Sequence, residues 1–469
     1  MKKMLLALSL SGALLGGSVA WAEEAVTATA PTSDVAVLET AETSPIETTN
    51  ATEVAAVAEV STPEAAEPEA VLDTGDTAWI LVSTALVLLM TIPGLALFYG
   101  GMVRKKNVLN TMAYSFVAAA VVSIAWVAVG YSLAFGEGNA FIGGLDKVML
   151  AGIGTDALSG SIPEILFVIF QMTFAIITVA IISGSIAERM KFGAFVAFIA
   201  IWVVVVYAPI THWVWGGGWL GNDGALDFAG GTVVHINSGV AGLVAAYMLG
   251  KRMGLGRESM APHNLTLTVL GASLLWVGWF GFNGGSALGA NGAAGYALVV
   301  TQVAAAAAAI AWLVAEKLVR GKGSVLGAAS GAVAGLVVIT PAAGFVTVGG
   351  ALAMGLIGGV VCFWGITALK RALKADDSLD AFGLHGVGGI VGAILTAFFA
   401  SEFIMGDAAP SNLMSQLWVQ VEGVLATIAY SAVLTFIILK VIDLTIGIRV
   451  AAEDERMGLD LSQHGERVE

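Results

Sequence analysis

From residue 78 onward the chain alternates long apolar runs with short polar ones. Eleven runs are each about long enough to cross a bilayer as a helix, which takes roughly 20 residues. They cover residues 78–100, 108–135, 162–187, 192–214, 230–250, 264–283, 294–315, 324–340, 345–368, 381–400 and 413–439. The pattern predicts an all-α polytopic membrane protein with 11 transmembrane helices. Ser161-Ile-Pro-Glu164 has capping-box spacing and marks the expected start of the third helix.

Two of the runs hold a histidine followed by small residues at the same spacing: His235-Ile-Asn-Ser-Gly239-Val-Ala-Gly242 and His385-Gly-Val-Gly-Gly389-Ile-Val-Gly392. Offsets of four and seven share one helix face, so each histidine heads a glycine stripe. Ionisable groups inside membrane helices are costly and mark substrate or proton pathways. The arrangement points to a conduit that handles a proton.

The runs also repeat. Gly94-Leu-Ala-Leu-Phe98-Tyr-Gly100-Gly101 in the first resembles Gly278-Trp-Phe-Gly-Phe282-Asn-Gly284-Gly285 in the sixth, and the two histidine motifs lie in the fifth and tenth. Both pairs are five spans apart. Five is odd, so the second copy is inverted: two inverted five-helix repeats plus a final helix, with the pathway expected at their interface.

Residues 1–22 read as a signal peptide, with Lys2-Lys3, an apolar stretch from Met4 to Leu15 and an Ala20-Trp21-Ala22 cleavage site. Residues 23–72 are rich in Ala, Glu, Thr and Pro without aromatics, cannot bury a core, and are expected to be a disordered acidic extracytoplasmic segment. A membrane domain over 73–445 and a cytoplasmic C-terminal tail over 446–469 complete the division.

Composition agrees with this reading: 57% hydrophobic and 12% charged residues, with 59 glycines suited to close helix packing. The net charge of −14 is misleading as a whole-chain value. Residues 23–76 hold thirteen Asp/Glu and no Lys or Arg, which leaves 77–469 almost neutral. In an eleven-span arrangement every basic residue after the signal peptide except Lys147 falls on one side. The positive-inside rule therefore puts the N-terminus outside and the C-terminus inside, as a cleaved signal peptide also requires. The single Cys362 forms no internal disulfide. No Cys/His/Asp/Glu cluster has metal-ligand spacing, no phosphate loop or nucleophile–base pair suggests an enzyme, and no cofactor is implied.

Asp227-Phe-Ala-Gly-Gly-Thr-Val-Val-His235-Ile-Asn-Ser-Gly239, running on to Gly250-Lys251-Arg252, resembles the signature of the ammonium transporter (Amt/Mep/Rhesus) family. So do Gly75-Asp-Thr-Ala-Trp79, Phe98-Tyr-Gly-Gly-Met102, Phe170-Gln-Met-Thr-Phe174, His212-Trp-Val-Trp215, Gly281-Phe-Asn-Gly-Gly-Ser286 and Phe382-Gly-Leu-His385. The resemblance covers roughly residues 73–469 and is to the bacterial Amt type. It implies a homotrimer in the bacterial cytoplasmic (inner) membrane, with a pore in each subunit. Carried over position by position, it implies ammonium recruitment at Trp215, Phe174 and Ser286, bordered by Phe170. It further implies a phenylalanine gate of Phe174 and Phe282, twin pore histidines His235 and His385, and Asp227 as a supporting buried carboxylate. Ammonium or ammonia is the implied substrate, with methylammonium a candidate analogue. The tail resembles the family's too, which implies a cytoplasmic PII-type signalling protein as partner. No nucleic acid is implied.

Read from residue chemistry alone, these positions keep their plainer alternatives. Trp215 fits an interfacial anchor as well as a cation site. Phe174 and Phe282 fit helix packing, Asp227 fits an N-cap of the fifth helix, and the tail fits a solvated charged segment. His212, His263 and His464 read as peripheral. Three functions stand against one another: an ammonium transporter that strips and conducts ammonia with net charge transfer, an ammonium sensor acting through a partner, and a neutral ammonia or CO2 gas channel.

Overall fold

A computed structural model of the protein describes residues 70–468. The expected signal peptide and all but the last residues of the acidic segment lie outside that range.

Among the described residues, eleven helices are long and apolar enough to span a membrane. They are α1 (Thr74–Met102), α2 (Lys105–Phe135), α3 (Glu164–Ile186), α4 (Phe192–Asn222), α5 (Gly231–Leu249), α6 (Leu265–Gly284), α7 (Gly292–Arg320), α8 (Val325–Ala342), α9 (Val348–Leu373), α10 (Phe382–Phe399) and α11 (Leu413–Thr445). Several outrun their apolar cores, because polar residues such as Glu316, Lys317 and Lys440 continue the helical turn. With eleven spans, the start of α1 and the end of α11 lie on opposite faces, here the N-terminal and C-terminal faces. Asn264, Asn291, Ser324, Thr347 and Asn412 each cap the helix they precede, accepting a backbone N–H of its first turn.

The α2–α3 connection folds into two small antiparallel hairpins, β1 (Gly138–Asn139) with β2 (Ile142–Gly143) and β3 (Leu158–Ser159) with β4 (Ile162–Pro163). Here the expected capping box fails. Ile162 and Pro163 belong to β4, so α3 opens at Glu164 with no side-chain cap. Ser161 Oγ donates to Asp76 instead, at 2.5 Å. Glu164 accepts from Lys147 Nζ at 2.5 Å and Tyr131 OH at 2.9 Å. Lys147, the one basic residue of this face among the described residues, is thereby neutralised locally.

The inverted repeat is visible in the helix irregularities. Wide turns interrupt α1 (Met90–Leu95) and α4 (Val203–Tyr207) and open α5 (Gly231–Ile236). Others end α6 (Phe280–Gly284), interrupt α9 (Gly365–Leu369) and open α10 (Phe382–Gly386), each five helices later. The match is incomplete: α2 has such a turn at Trp126–Gly130 and its counterpart α7 runs unbroken. Turns of this kind gather at functional sites, and here they hold both histidines and Phe282.

α5 and α10 cross at their glycines. A Cβ on Gly239 would overlap the backbone of Gly386, and one on Gly389 would come within 2.8 Å of Gly231 O and 3.0 Å of Ile236 N. Each histidine's i+4 glycine thus packs against backbone close to the other histidine. The stripes serve close helix approach, as small residues do in membrane bundles.

On the C-terminal face the tail is docked. Two short helices, α12 (Ala452–Met457) and α13 (Leu459–His464), follow α11. Lys106 Nζ donates to the carbonyls of Glu455 and Arg456, Asn110 N to Asp460 Oδ1 at 2.8 Å, and Leu459 N to Asn107 Oδ1 at 2.9 Å. Arg449 pairs with buried Glu455 at 2.7 Å. Leu459, Glu455 and Asp460 are buried, so this is a packed segment and not a solvated one.

Candidate functional site

The site is a line of rings running inward from the N-terminal face. Trp215 ends the regular part of α4, and its Nε1 donates to the backbone carbonyl of Asp227 at 2.8 Å. With its only polar hydrogen engaged, the indole has its face left to offer a ligand. Phe174, on α3, stands edge-on to Trp215, with centroids 6.0 Å apart and planes at 89°. Phe170, one turn earlier, meets Phe174 at 5.0 Å. Gly285 makes room for it, since a Cβ there would lie 2.9 Å from Phe170 Cζ.

Phe174 and Phe282 stack at 4.3 Å with planes at 27°. Both are about 1% exposed, so the stack is buried within the bundle. Ser286, one turn after Phe282, is partly buried, and its hydroxyl donates to Phe282 O at 2.8 Å. That commits the hydroxyl proton and leaves Oγ lone pairs as acceptors.

Behind the stack, His235 lies 6.0 Å from Phe282 and nearly parallel to it. His235 and His385 face each other with Nδ1 atoms 3.2 Å apart. One Nδ1 must donate while the other accepts, so the pair shares a single proton across this contact. His235 Nε2 is buried and has no hydrogen-bond partner among the described residues.

Asp227 is the helix cap. Its carboxylate accepts from the backbone N–H groups of Gly230, Gly231, Thr232 and Val233 and from the Thr232 hydroxyl. Gly230 has φ of +114°, a conformation that favours glycine and turns the chain into α5. Asp227 thereby fixes both ends of the site, through its carbonyl to Trp215 and through its side chain to the helix carrying His235.

The structure brings Trp215, Phe170, Phe174, Phe282, His235, His385 and Asp227 into one connected chain of contacts, with Ser286 attached through Phe282. Sequence reasoning missed two members. Trp279 stacks on His235 at 5.4 Å and is held by a buried network in which its Nε1 donates to Thr340, Thr340 to Asn283 Oδ1, and Asn283 Nδ2 to Thr301. Asp377 caps α10, accepting from Ala381 N, Phe382 N and Ser185 Oγ. Asp377 precedes His385 by the same eight positions that separate Asp227 from His235. That spacing was a readable signal. His212 also departs from expectation, being buried, with its ring nitrogens 3.0 Å from Ala134 O and 2.7 Å from Asn139 O.

Residues 78–469 match the sequence model of the Ammonium Transporter Family. The chain belongs to the ammonium transporter family. An ammonium transporter of Bacillus subtilis is 53% identical to it over 398 residues, spanning 84% of this chain and 98% of that one. Among solved structures, Saccharomyces cerevisiae Mep2 superposes with a TM-score of 0.76 at 37% identity, covering 81% of this chain and 88% of that one. A protein described as Sensor Amt Protein superposes with a TM-score of 0.78 at 31% identity, covering 83% and 98%. Family membership supports ammonium transport by a multi-pass membrane protein.

Proposed function

We propose that this transporter recruits ammonium at Trp215, Phe174 and Ser286, deprotonates it at the Phe174–Phe282 gate, and conducts ammonia past His235 and His385 with net transfer of charge. The paired histidines behind a closed aromatic stack carry this reading. Ammonium offers a positive charge to the Trp215 face and N–H donors to Ser286 Oγ. Potassium offers no donor, and a single hydroxyl oxygen replaces little of its hydration shell, so the site disfavours it.

The 4.3 Å stack leaves no room for a hydrated ion, and a bare ion would meet a large desolvation cost in the apolar passage. Neutral ammonia escapes most of that cost. The shared-proton pair presents one ring as donor and the other as acceptor, and the unpartnered His235 Nε2 is free to meet a passing nitrogen. We place the N-terminal face outside and the C-terminal face in the cytoplasm, on the Lys/Arg distribution. We extend the reading to a homotrimer in the cytoplasmic membrane whose docked tail meets a PII-type partner.

The test is charge movement in proteoliposomes after an ammonium pulse, with potassium as control. The wild type gives an ammonium-specific current, and H235L/H385L loses it. An unchanged, selective current in the double variant would remove the histidine role, and no current from intact wild type would favour the gas channel. The sensor reading draws on the likeness to the Sensor Amt Protein, and sustained flux without any partner argues against it.

A further inference from the structure

His212 sits in the last turn of the regular part of α4, three residues before Trp215, and is 2% exposed. Both of its ring nitrogens face backbone carbonyls, Nδ1 at 3.0 Å from Ala134 O and Nε2 at 2.7 Å from Asn139 O. A carbonyl oxygen only accepts, and a neutral imidazole has one N–H. A neutral His212 would press a bare nitrogen lone pair against one of the two oxygens. The imidazolium form donates to both.

The surroundings suit a cation. Ala134 lies in the last turn of α2, so its carbonyl has no partner within that helix. The ring thus meets the C-terminal ends of two helices, α2 and the regular part of α4, where the helix dipoles favour positive charge. Of the charged groups on the segments around it, Lys147 is paired with Glu164, which also accepts from Tyr131. Asp227 is committed to the N–H groups at the start of α5, and Glu137, Asp146 and Asp223 are exposed. None of these bonds to the ring, whose partners among the described residues are the two carbonyls.

The same contact shapes the turn that presents Trp215. Three successive carbonyls of the β1–β2 hairpin hold the end of α4: Asn139 O meets His212, Ala140 O accepts from Trp219 N at 3.0 Å, and Phe141 O accepts from Trp213 Nε1 at 2.7 Å. His212 O in turn accepts from Gly216 N and Gly218 N, at 3.1 and 2.9 Å. A Cβ on Gly216 would collide with Ala134 O and lie 2.8 Å from His212 Nδ1, so the end of α2 rests directly on this turn. We propose that His212 is a positioning residue for ammonium recruitment, its doubly protonated ring stapling the hairpin and the end of α2 to the turn that carries Trp215. The proposal rests on the reading of Trp215 as part of the recruitment site.

The test reads ring charge and ammonium affinity on the full chain in proteoliposomes. The chain has five histidines, so solid-state NMR with isotopic nitrogen in histidine resolves the protonation of each ring, and His212→Gln identifies the His212 signals by their absence. The wild type should carry protons on both His212 nitrogens at neutral pH. As pH rises on the side of ammonium addition, the half-saturating concentration, counted as the ion, should rise in step with loss of the imidazolium signal. His212→Gln keeps an N–H donor and does not titrate in this range, so its half-saturation should be raised at every pH and show no step. His212→Phe keeps a ring and loses both donors. It should raise half-saturation by roughly tenfold, the worth of one charge-assisted hydrogen bond, with little change in maximal current. A single proton on wild-type His212 at neutral pH would overturn the proposal. So would a step retained in His212→Gln, or wild-type half-saturation in either variant. Trp215→Leu separates this proposal from the reading beneath it. Unchanged half-saturation there would remove Trp215 from recruitment, and the positioning role with it, while the nitrogen signals judge the charged staple by themselves.

Discussion

Asp227 shows how one side chain can govern a site that it does not line. It holds four backbone N–H groups and one hydroxyl at the start of α5. An alanine there would orphan buried donors at about 1–3 kcal/mol each. Asp227→Ala should therefore lower the melting temperature markedly and abolish transport, while Asp227→Asn, which keeps one acceptor oxygen, should fall between the two. Thermal unfolding in detergent beside flux in liposomes checks this, and a variant of wild-type stability would refute the capping role. Ser286 differs, because its acceptor lone pairs are spare. Ser286→Ala should leave stability unchanged and weaken the apparent affinity for ammonium by roughly fivefold, the worth of one hydrogen bond. Flux titrations against ammonium and potassium measure both the loss and the narrowing of selectivity.

The α5–α10 crossing sets the distance between the histidines. Gly239 and Gly389 let each helix rest on the other's backbone, and the wide turns at Gly231–Ile236 and Phe382–Gly386 carry the two rings. Gly239→Ala places a methyl group where backbone already lies. Overpacking of this kind costs about 1–3 kcal/mol or more, and the helices must part to relieve it. The 3.2 Å Nδ1 contact should open and the ammonium current should fall even in protein that folds. Gly295→Ala in the first turn of α7 is the control, since its Cβ meets nothing within 4 Å. It should leave current intact and raise stability by about 0.5–1 kcal/mol through helix propensity. Equal currents from the two variants would detach the crossing from function.

Across the molecule, the C-terminal face is tied by a buried charge network. Glu188 receives Arg104 at 2.8 Å and Arg252 at 3.4 Å, and Asp376 receives Arg252 at 2.8 Å. Arg189 joins three connections, donating to the carbonyls of Ser185, Gly250 and Asp376. Burial alone would raise both carboxyls. The adjacent arginines more than offset it, holding Glu188 and Asp376 below the usual carboxylate range. Carboxyls so depressed add stability that is present above their unfolded values, near about 4, and lost as pH falls through the folded ones. Melting temperatures should drop on acidification below about pH 4, where unfolded carboxylates begin to protonate. Glu188→Gln should start lower and show a shallower acid drop. A parallel pH profile for the variant would show that Glu188 does not carry the acid sensitivity.

The apolar runs alone specified eleven helices, because crossing a bilayer demands an uninterrupted apolar length with its backbone satisfied internally. Spacing exposed the repeat and the histidine motifs, and similarity of motif supplied the names of Trp215, Phe174, Phe282 and Ser286. Three things could not be read along the chain. Ser161 bonds to Asp76 rather than capping α3, since the hairpin that precedes α3 takes up its first residues. Trp279 joins the histidines because Thr340, from a helix distant in sequence, holds its indole. The role of the glycine stripes follows from which backbone crosses which. Local pattern settles whether a segment is a helix, while the meeting of two rings 150 positions apart depends on helices packing to a fraction of an ångström, and only the assembled fold determines that.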